Sequence, residues 1–171
     1  MRGEAPEGQA DVLSEDFRSA FRGHPAGVAI VTGRDAAGPA GLTVSSVASV
    51  SLRPPALVFS VTDSRAAGRV LSGPSLTVNL LLARDVPLAR EFAMPGGARF
   101  TADQPWEYAD GGPPWLTTAA AALLCRPLAV SAVGASRVVV AEVVRRLASS
   151  EGNRLVYCDR TFHRLTPASV I

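Results

Sequence analysis

Short apolar segments separated by turn-forming residues recur along this chain, and they constrain its fold more than any other feature. β-Branched or alternating patterns occupy seven segments, at residues 27–32, 41–52, 56–62, 75–82, 122–133, 137–147 and 154–159. The helical patterns between them, at 64–72 and 84–93, are too few and too short for a doubly wound parallel sheet. At least six evenly spaced strands with turn signals between them predict a mainly antiparallel β-barrel with a few short flanking helices.

The N-terminal region precedes these strands and has a different composition. Residues 1–12 are polar and acidic, without the apolar stretch of a signal peptide, and predict a disordered leader. A single domain is then expected over residues 13–171. No apolar run approaches the roughly 20 residues that a membrane-spanning helix needs. We therefore expect a soluble, cytoplasmic protein without membrane contact.

A short helix is predicted at the start of this domain. Ser14 can cap it, and glycine after Arg22 ends it. The spacing of Phe17, Ala20 and Phe21 places all three on one face, which is predicted to be buried.

Charge and metal-ligating residues exclude several functions. The 17 basic residues, all arginine, are mixed with 15 acidic ones, and no basic stripe with interleaved aromatics indicates a nucleic-acid partner. Cys125 and Cys158 lie in apolar runs outside any CxxC motif, so both are predicted to be small buried thiols. With His24 and His163 as the only histidines, no metal site is expected. The chain also lacks the GxGxxG, GxxxxGK[ST] and GxSxG motifs.

The segment GLTVSSVASVSL, residues 41–52, has an unusual alternation. One alternate set is mostly apolar, whereas the other consists mainly of Thr43, Ser45, Ser49 and Ser51. Such short side chains allow a flat ligand to lie close to the strand backbone, with hydroxyl groups available to its polar edge. They are equally compatible with a Ser/Thr ladder that faces water. The pattern alone leaves both interpretations open.

A second candidate site follows the predicted strand ALVFSVT. Ser64 and Arg65 begin a helical pattern there, and a helix N-terminus with a hydroxyl and a guanidinium suits a phosphate group. The alternative is an ordinary helix cap beside a solvated arginine.

The order of several blocks resembles the flavin reductase-like, FMN-binding split-barrel proteins, which include the small reductase components of two-component flavin monooxygenases. The blocks span about residues 16–166 and comprise FRSAFRGHPAGVAIVTG, GLTVSSVASVSLRPPALVFSV, SLTVNLLL, LAREFA, GARFTADQPWEY, GGPPWL and LVYCDRTFHRL. The resemblance implies a six-stranded antiparallel Greek-key split β-barrel that forms a homodimer. It also implies hydride transfer from NADH or NADPH to FMN, or to FAD, and delivery of reduced flavin to a partner flavin-dependent monooxygenase.

The resemblance also implies a set of flavin-binding residues. The ring would lie along Thr43, Val44, Ser45 and Ser46, and the phosphate would bind Ser64 and Arg65. Further contacts are implied for Ser60, Asn79 and Phe100. No residue need act as acid, base or nucleophile, because the cofactors carry the chemistry.

Two departures from the family pattern concern nicotinamide and phosphate binding. Gly134-Ala135-Ser136 stands where the family commonly has Gly-Asp-His, and Ala66 stands where it often has threonine. His163 is either a nicotinamide contact or a surface histidine. The lost histidine leaves open a flavoprotein that retains FMN and acts on its own substrate, with little reductase activity. A non-catalytic flavin- or haem-binding module is a third alternative.

Overall fold

The computed structural model describes residues 7–109 and 111–170, with side chains described from residue 11. Three α-helices are present in these ranges: α1 (Glu7–Arg22), α2 (Arg65–Val70) and α3 (Val86–Ala93). The strands, in chain order, are β1 (Ala26–Gly27), β2 (Ala29–Asp35), β3 (Gly38–Val44), β4 (Ala48–Leu52), β5 (Pro55–Thr62), β6 (Leu76–Leu80), β7 (Trp106–Glu107), β8 (Trp115–Leu116), β9 (Ala121–Val133), β10 (Ser136–Ala148), β11 (Leu155–Cys158) and β12 (Thr161–Arg164).

The largest sheet is antiparallel and has seven strands, in the order β3-β2-β6-β9-β10-β5-β4. Its two edge strands, β3 and β4, are consecutive in the chain and are joined only through a bend at residues 45–47. The segment 41–52 is thus a bent strand rather than the straight one its alternation predicts. This bend connects the two edges and closes the sheet. Counted as one bent strand, β3 and β4 give the predicted six, and the mainly antiparallel β fold with few helices is confirmed.

Two small sheets complete the β structure. β1, β11 and β12 form a three-stranded sheet, in which Ala26 is opposite Tyr157. β7 and β8 form a hairpin inside the irregular region that follows α3.

The core is divided into two clusters by the alternation of β2. Val31 packs into the cluster inside the barrel, with Phe59 and Val139. Ile30 points the other way, into a cluster with Phe92 of α3 and Leu116. One strand therefore supplies both cores, as a period of two requires when both faces are covered.

Helix α1 differs from its prediction in both position and burial. It begins at Glu7 rather than at Ser14, while residues 1–6 of the predicted leader lie outside the described residues. Phe17 and Phe21 are 61% and 59% exposed, so the predicted buried stripe is wrong. The physical reason is that this face lines a cavity instead of meeting a core, and the two rings contact each other at a centroid distance of 4.6 Å.

Residues 94–118 are rich in Gly and Pro, and long irregular segments of this kind are uncommon in compact domains and often functional. Its described residues cover the second core cluster, where Trp106 is 8% exposed. Gln104 ties the segment to α3, since its Nε2 donates to Glu91 Oε2 at 2.8 Å. Of the described residues of this segment, only Met94 lines either of the two cavities of the candidate site.

An ion pair between Arg69 and Asp35 fastens α2 to the β2–β3 hairpin. Arg69 Nε lies 2.7 Å from Asp35 Oδ2, and this hydrogen bond lowers the Asp35 pKa from its ordinary 3.8 to about 2. Because the folded-state pKa is the lower one, the stabilisation is complete above about pH 4 and is lost as pH falls through about 2.

We expect Asp35→Asn to remove this pH dependence. Its free energy of unfolding, measured by urea titration, should fall less steeply between pH 4 and pH 2 than that of the unmodified protein. Parallel pH profiles for the two proteins would contradict the role of the pair.

Candidate functional site

Two adjoining cavities meet at the bend between β3 and β4. The larger, about 1230 Å³, lies between α1, the segment 24–27 and the bend, with Ser60 of β5 in its wall. The smaller, about 400 Å³, lies between the end of β3, the last turn of α3 and β12. Ser45, Tyr157 and Arg160 line both cavities, so these residues mark their junction.

Five of the residues implied by the family resemblance come together here. Thr43, Val44 and Ser45 line the smaller cavity, and Ser45, Ser46 and Ser60 line the larger. The bend brings them together because it turns the chain between two edge strands of the sheet. These residues surround a shared space rather than a flat strand face.

The hydroxyl groups at the bend have different roles. Thr43 Oγ1 donates to Ala89 O at 2.7 Å, which joins β3 to α3. Ser46 Oγ accepts from Ser60 N at 2.8 Å and donates to Ser60 O at 2.9 Å, which joins the bend to β5. Ser45 is exposed, and its hydroxyl has no hydrogen-bond partner within the described ranges. Ser45 is therefore the hydroxyl most available to a ligand.

The predicted phosphate residues lie outside both cavities. Ser64 caps α2, with its Oγ accepting from Ala67 N at 3.1 Å, and Arg65 is exposed. Asp63, just before them, pairs with Arg137 at 2.9 Å and donates its N–H to Ala135 O at 2.8 Å. The segment Gly134-Ala135-Ser136 thus lies beside the start of α2 and reaches neither cavity.

Asn79 is placed in the core, away from the candidate site. It is fully buried, its Nδ2 donates to Ile30 O at 3.0 Å, and its Oδ1 accepts from Leu116 N at 2.8 Å. Both ends of the amide are used within the protein. Neither end of the Asn79 amide is therefore available to a flavin.

Phe100 is also a core residue. Its ring contacts those of Phe92 and Trp106, each at a centroid distance of 5.1 Å, and it lines neither cavity. The possibility that it covers the pocket is not supported, because its neighbours belong to the second core cluster.

His163 is exposed on β12, and its Nε2 lies 3.2 Å from Cys158 O. The neighbouring Phe162 lines the smaller cavity instead. Successive side chains of a strand point to opposite faces, so His163 faces away from the cavity that Phe162 lines.

Three aromatic and cationic side chains of the smaller cavity were missed by sequence reasoning. The Tyr157 and Phe162 rings are 5.1 Å apart, and the guanidinium carbon of Arg90 lies 5.7 Å from the Phe162 centroid. The alternation in LVYCDRTFHRL offered a signal, because Tyr157 and Phe162 are cross-strand partners in the β11–β12 hairpin. This wall suits a planar ring.

The charge around both cavities has a single sign. Arginines line them at positions 18, 22, 90 and 160, together with His24, and no aspartate or glutamate is among the described lining residues. Such an arrangement favours an anionic ligand. An aromatic wall, a free hydroxyl and unopposed cations together match the chemistry of a flavin or nicotinamide nucleotide, so the residues present fit the cofactors that the resemblance implies.

The two thiols differ in burial. Cys125 is buried, as predicted, and burial raises its pKa to about 12, so this thiol stays protonated. Cys158 is only half-buried, with Sγ 3.3 Å from Gly23 O. The described residues contain no group of three or more His, Cys, Asp or Glu side chains placed to hold a metal, and none of their helices is long and apolar enough to cross a membrane.

Comparison with known proteins identifies the family. The family described as flavin reductase like domain matches residues 21–166. This chain belongs to that family. The NADH:FMN oxidoreductase of Rhodococcus qingshengii is 31% identical to it over 167 residues, covering 95% of this chain and 87% of the relative.

Two further flavin reductase-like relatives extend the comparison. The reductase component of an FADH2-dependent resorcinol hydroxylase from Rhizobium sp. (strain MTP-10005) is 30% identical, covering 97% of this chain and 93% of the relative. A flavin reductase domain protein from Arthrobacter sp. FB24 superimposes with a TM-score of 0.83 and 30% identity, covering 90% of this chain and 96% of that structure. The barrel and its helices thus follow the fold of the family.

Proposed function

We propose that this protein is an NAD(P)H-dependent flavin reductase that reduces FMN, or FAD, and supplies the reduced flavin to a partner monooxygenase. The observation that carries this proposal is the pair of adjoining cavities, which are lined by arginines, with Tyr157 at their junction and Phe162 beside it in the smaller cavity. Membership of a family whose relatives include an NADH:FMN oxidoreductase and a hydroxylase reductase component supports it.

The protein's part in this reaction is to bind and align. The nicotinamide supplies a hydride and the flavin accepts it with a proton, so the chain needs no nucleophile of its own. Ser45 offers a free hydroxyl to a ring edge, and Thr43 and Ser46 hold the bend rigid through their bonds to α3 and β5. Such fixed positioning is the main contribution that a protein makes to hydride transfer between two bound cofactors.

Ser64 and Arg65 remain predicted contacts of the flavin phosphate. Ser60 lines the larger cavity, and β5 continues from it to Thr62, two residues before Ser64. Arg65 is exposed, and none of the three ion pairs found among the described residues uses it. A flavin tail directed along β5 would therefore approach these two residues.

We propose that residues 13–171 form one domain and that the protein assembles as a homodimer. Large apolar side chains are exposed on α1, where Leu13 is 69% and Phe17 61% accessible, and on the β9–β10 hairpin, where Leu128 is 50% and Val133 63% accessible. Exposed apolar surface of this extent is typical of an interaction site. A cytoplasmic location is part of the same proposal, and the two free cysteines support it.

A second candidate function rests on the departure at Gly134-Ala135-Ser136. Without the histidine of the family, nicotinamide binding could be lost, and the protein would be a flavoprotein that retains FMN and acts on its own substrate. Flavin that survives gel filtration, no reduction by NADH or NADPH, and turnover of an added organic substrate would favour this alternative.

The two functions are separated by a steady-state assay. We expect the purified protein to oxidise NADH or NADPH only when FMN, FAD or riboflavin is added, with saturation in both the donor and the flavin. A heat-denatured sample and a flavin-free reaction are the controls. No turnover with either donor and any of the three flavins would overturn the proposed function.

A further inference from the structure

Arg160 occupies an unusual backbone conformation at the junction of the two cavities. It and Asp159 form the two-residue turn between β11 and β12, with φ angles of 60° and 48°. Two successive residues at positive φ are typical of turns that favour Asn-Gly or Gly-Gly, because a side chain is disfavoured there. An arginine in this position is conformationally costly, and such costs concentrate at functional sites.

The turn is held in place from outside. The Asp159 N–H donates to Arg22 O, at the end of α1, at 2.8 Å. One residue earlier, Cys158 Sγ lies 3.3 Å from Gly23 O, and Tyr157 pairs with Ala26 of β1. These contacts fix the turn against the end of α1 and against β1. They therefore also fix the backbone position from which the Arg160 side chain extends.

Among the residues that the structure describes, the Arg160 guanidinium forms no ion pair. The ion pairs among the described residues use Arg69, Arg126 and Arg137 instead. No carboxylate belongs to the described residues that line either cavity. A guanidinium with free donors in a site of one charge sign suits a phosphate or diphosphate group, which it can bind through two parallel hydrogen bonds.

We propose that Arg160 binds the phosphate or diphosphate group of a ligand that extends from one cavity into the other. The positive φ angles of Asp159 and Arg160 orient the Arg160 side chain toward that group. This inference rests on the proposed function for the identity of the ligand. The phosphate chemistry can come from the flavin tail or from the nicotinamide dinucleotide, because Arg160 borders both cavities.

The variant Arg160→Gly separates the backbone from the side chain. Glycine adopts positive φ readily, so the melting temperature should not fall, while the guanidinium is removed. Asp159→Gly is the matched control, because it relaxes the same turn and keeps Arg160. Arg164→Ala, at an exposed arginine of β12 outside both cavities, controls for the loss of one charge.

Phosphate-free ligands identify the source of the phosphate. Dissociation constants are measured for FMN and riboflavin by flavin fluorescence, and KM values for NADH and for N-benzyl-1,4-dihydronicotinamide. For Arg160→Gly we expect the dissociation constant of FMN or the KM for NADH to rise by roughly tenfold to hundredfold. The matching riboflavin or benzyl-nicotinamide value should change by less than about twofold, and both controls should behave like the unmodified protein.

Selective loss with FMN assigns the flavin phosphate to Arg160, and selective loss with NADH assigns the diphosphate of the donor. The proposal is overturned if Arg160→Gly leaves all four values unchanged, or weakens the phosphate-free ligands equally. The FMN and riboflavin titrations need no turnover. A protein that binds FMN through Arg160 yet fails to oxidise NADH would therefore contradict the proposed function and not this inference.

Discussion

Replacing Ser45 with leucine is expected to weaken FMN binding by at least roughly tenfold and to reduce flavin turnover to the same degree. Ser45 lines both cavities from the bend, and the neighbouring bonds of Thr43 to Ala89 and of Ser46 to Ser60 prevent the bend from moving away. The larger side chain must then occupy the space of the ligand. Fluorescence titration with FMN measures the loss directly.

Ser49→Leu is the matched control for this change. Ser49 is exposed on β4, in the same segment, and lines neither cavity, so FMN affinity should stay within about twofold of that of the unmodified protein. Equal FMN affinity in the Ser45 and Ser49 variants would show that the flavin does not lie at the bend.

Asn79→Ala is expected to destabilise the fold by about 2–4 kcal/mol without changing FMN affinity in the folded protein. The substitution leaves the Leu116 N–H and the Ile30 carbonyl buried without the partner that each now has at 2.8 Å and 3.0 Å. Urea denaturation measures the loss of stability, and FMN titration under native conditions measures the affinity.

Asn153→Ala provides the comparison for Asn79→Ala. Asn153 is exposed, and among the described residues it is bonded only through its backbone carbonyl, which accepts from Ala83 N at 2.8 Å, so this variant should unfold like the unmodified protein. A stable Asn79→Ala protein with weakened FMN binding would restore Asn79 to the flavin site and contradict its structural role.

Much of the fold follows from local sequence patterns. The apolar segments with turns between them predict the antiparallel sheet, because alternation and turn residues are signals that can be recognised in a short stretch of sequence. The break in the segment 41–52 could not be predicted in this way. Its alternation continues through residues 45–47, where the bend depends on the Ser46–Ser60 bonds to β5, a contact between residues distant in the chain.

The candidate site was predictable only in part, for the same reason. Local pattern and family resemblance both indicate Thr43 and Ser45, and the resemblance adds Ser46. Arg160 and Phe162 enter the site through the pairing of β11 with β1 and β12. The α1 face containing Phe17 has the spacing of a buried stripe, but spacing does not distinguish a core from a cavity wall. Asn79 shows the converse, because a buried amide and a ligand-binding amide look alike in sequence.

The central claim, hydride transfer from a nicotinamide to a flavin, is tested most directly by mixing the protein with NADH, or NADPH, and FMN in the absence of oxygen. We predict that the absorption of oxidised FMN disappears at a rate proportional to protein concentration, with one equivalent of donor consumed for each FMN reduced. The rate should fall strongly in Ser45→Leu and stay unchanged in Ser49→Leu. Absorption that declines no faster than in the protein-free mixture, with both donors, would contradict the account.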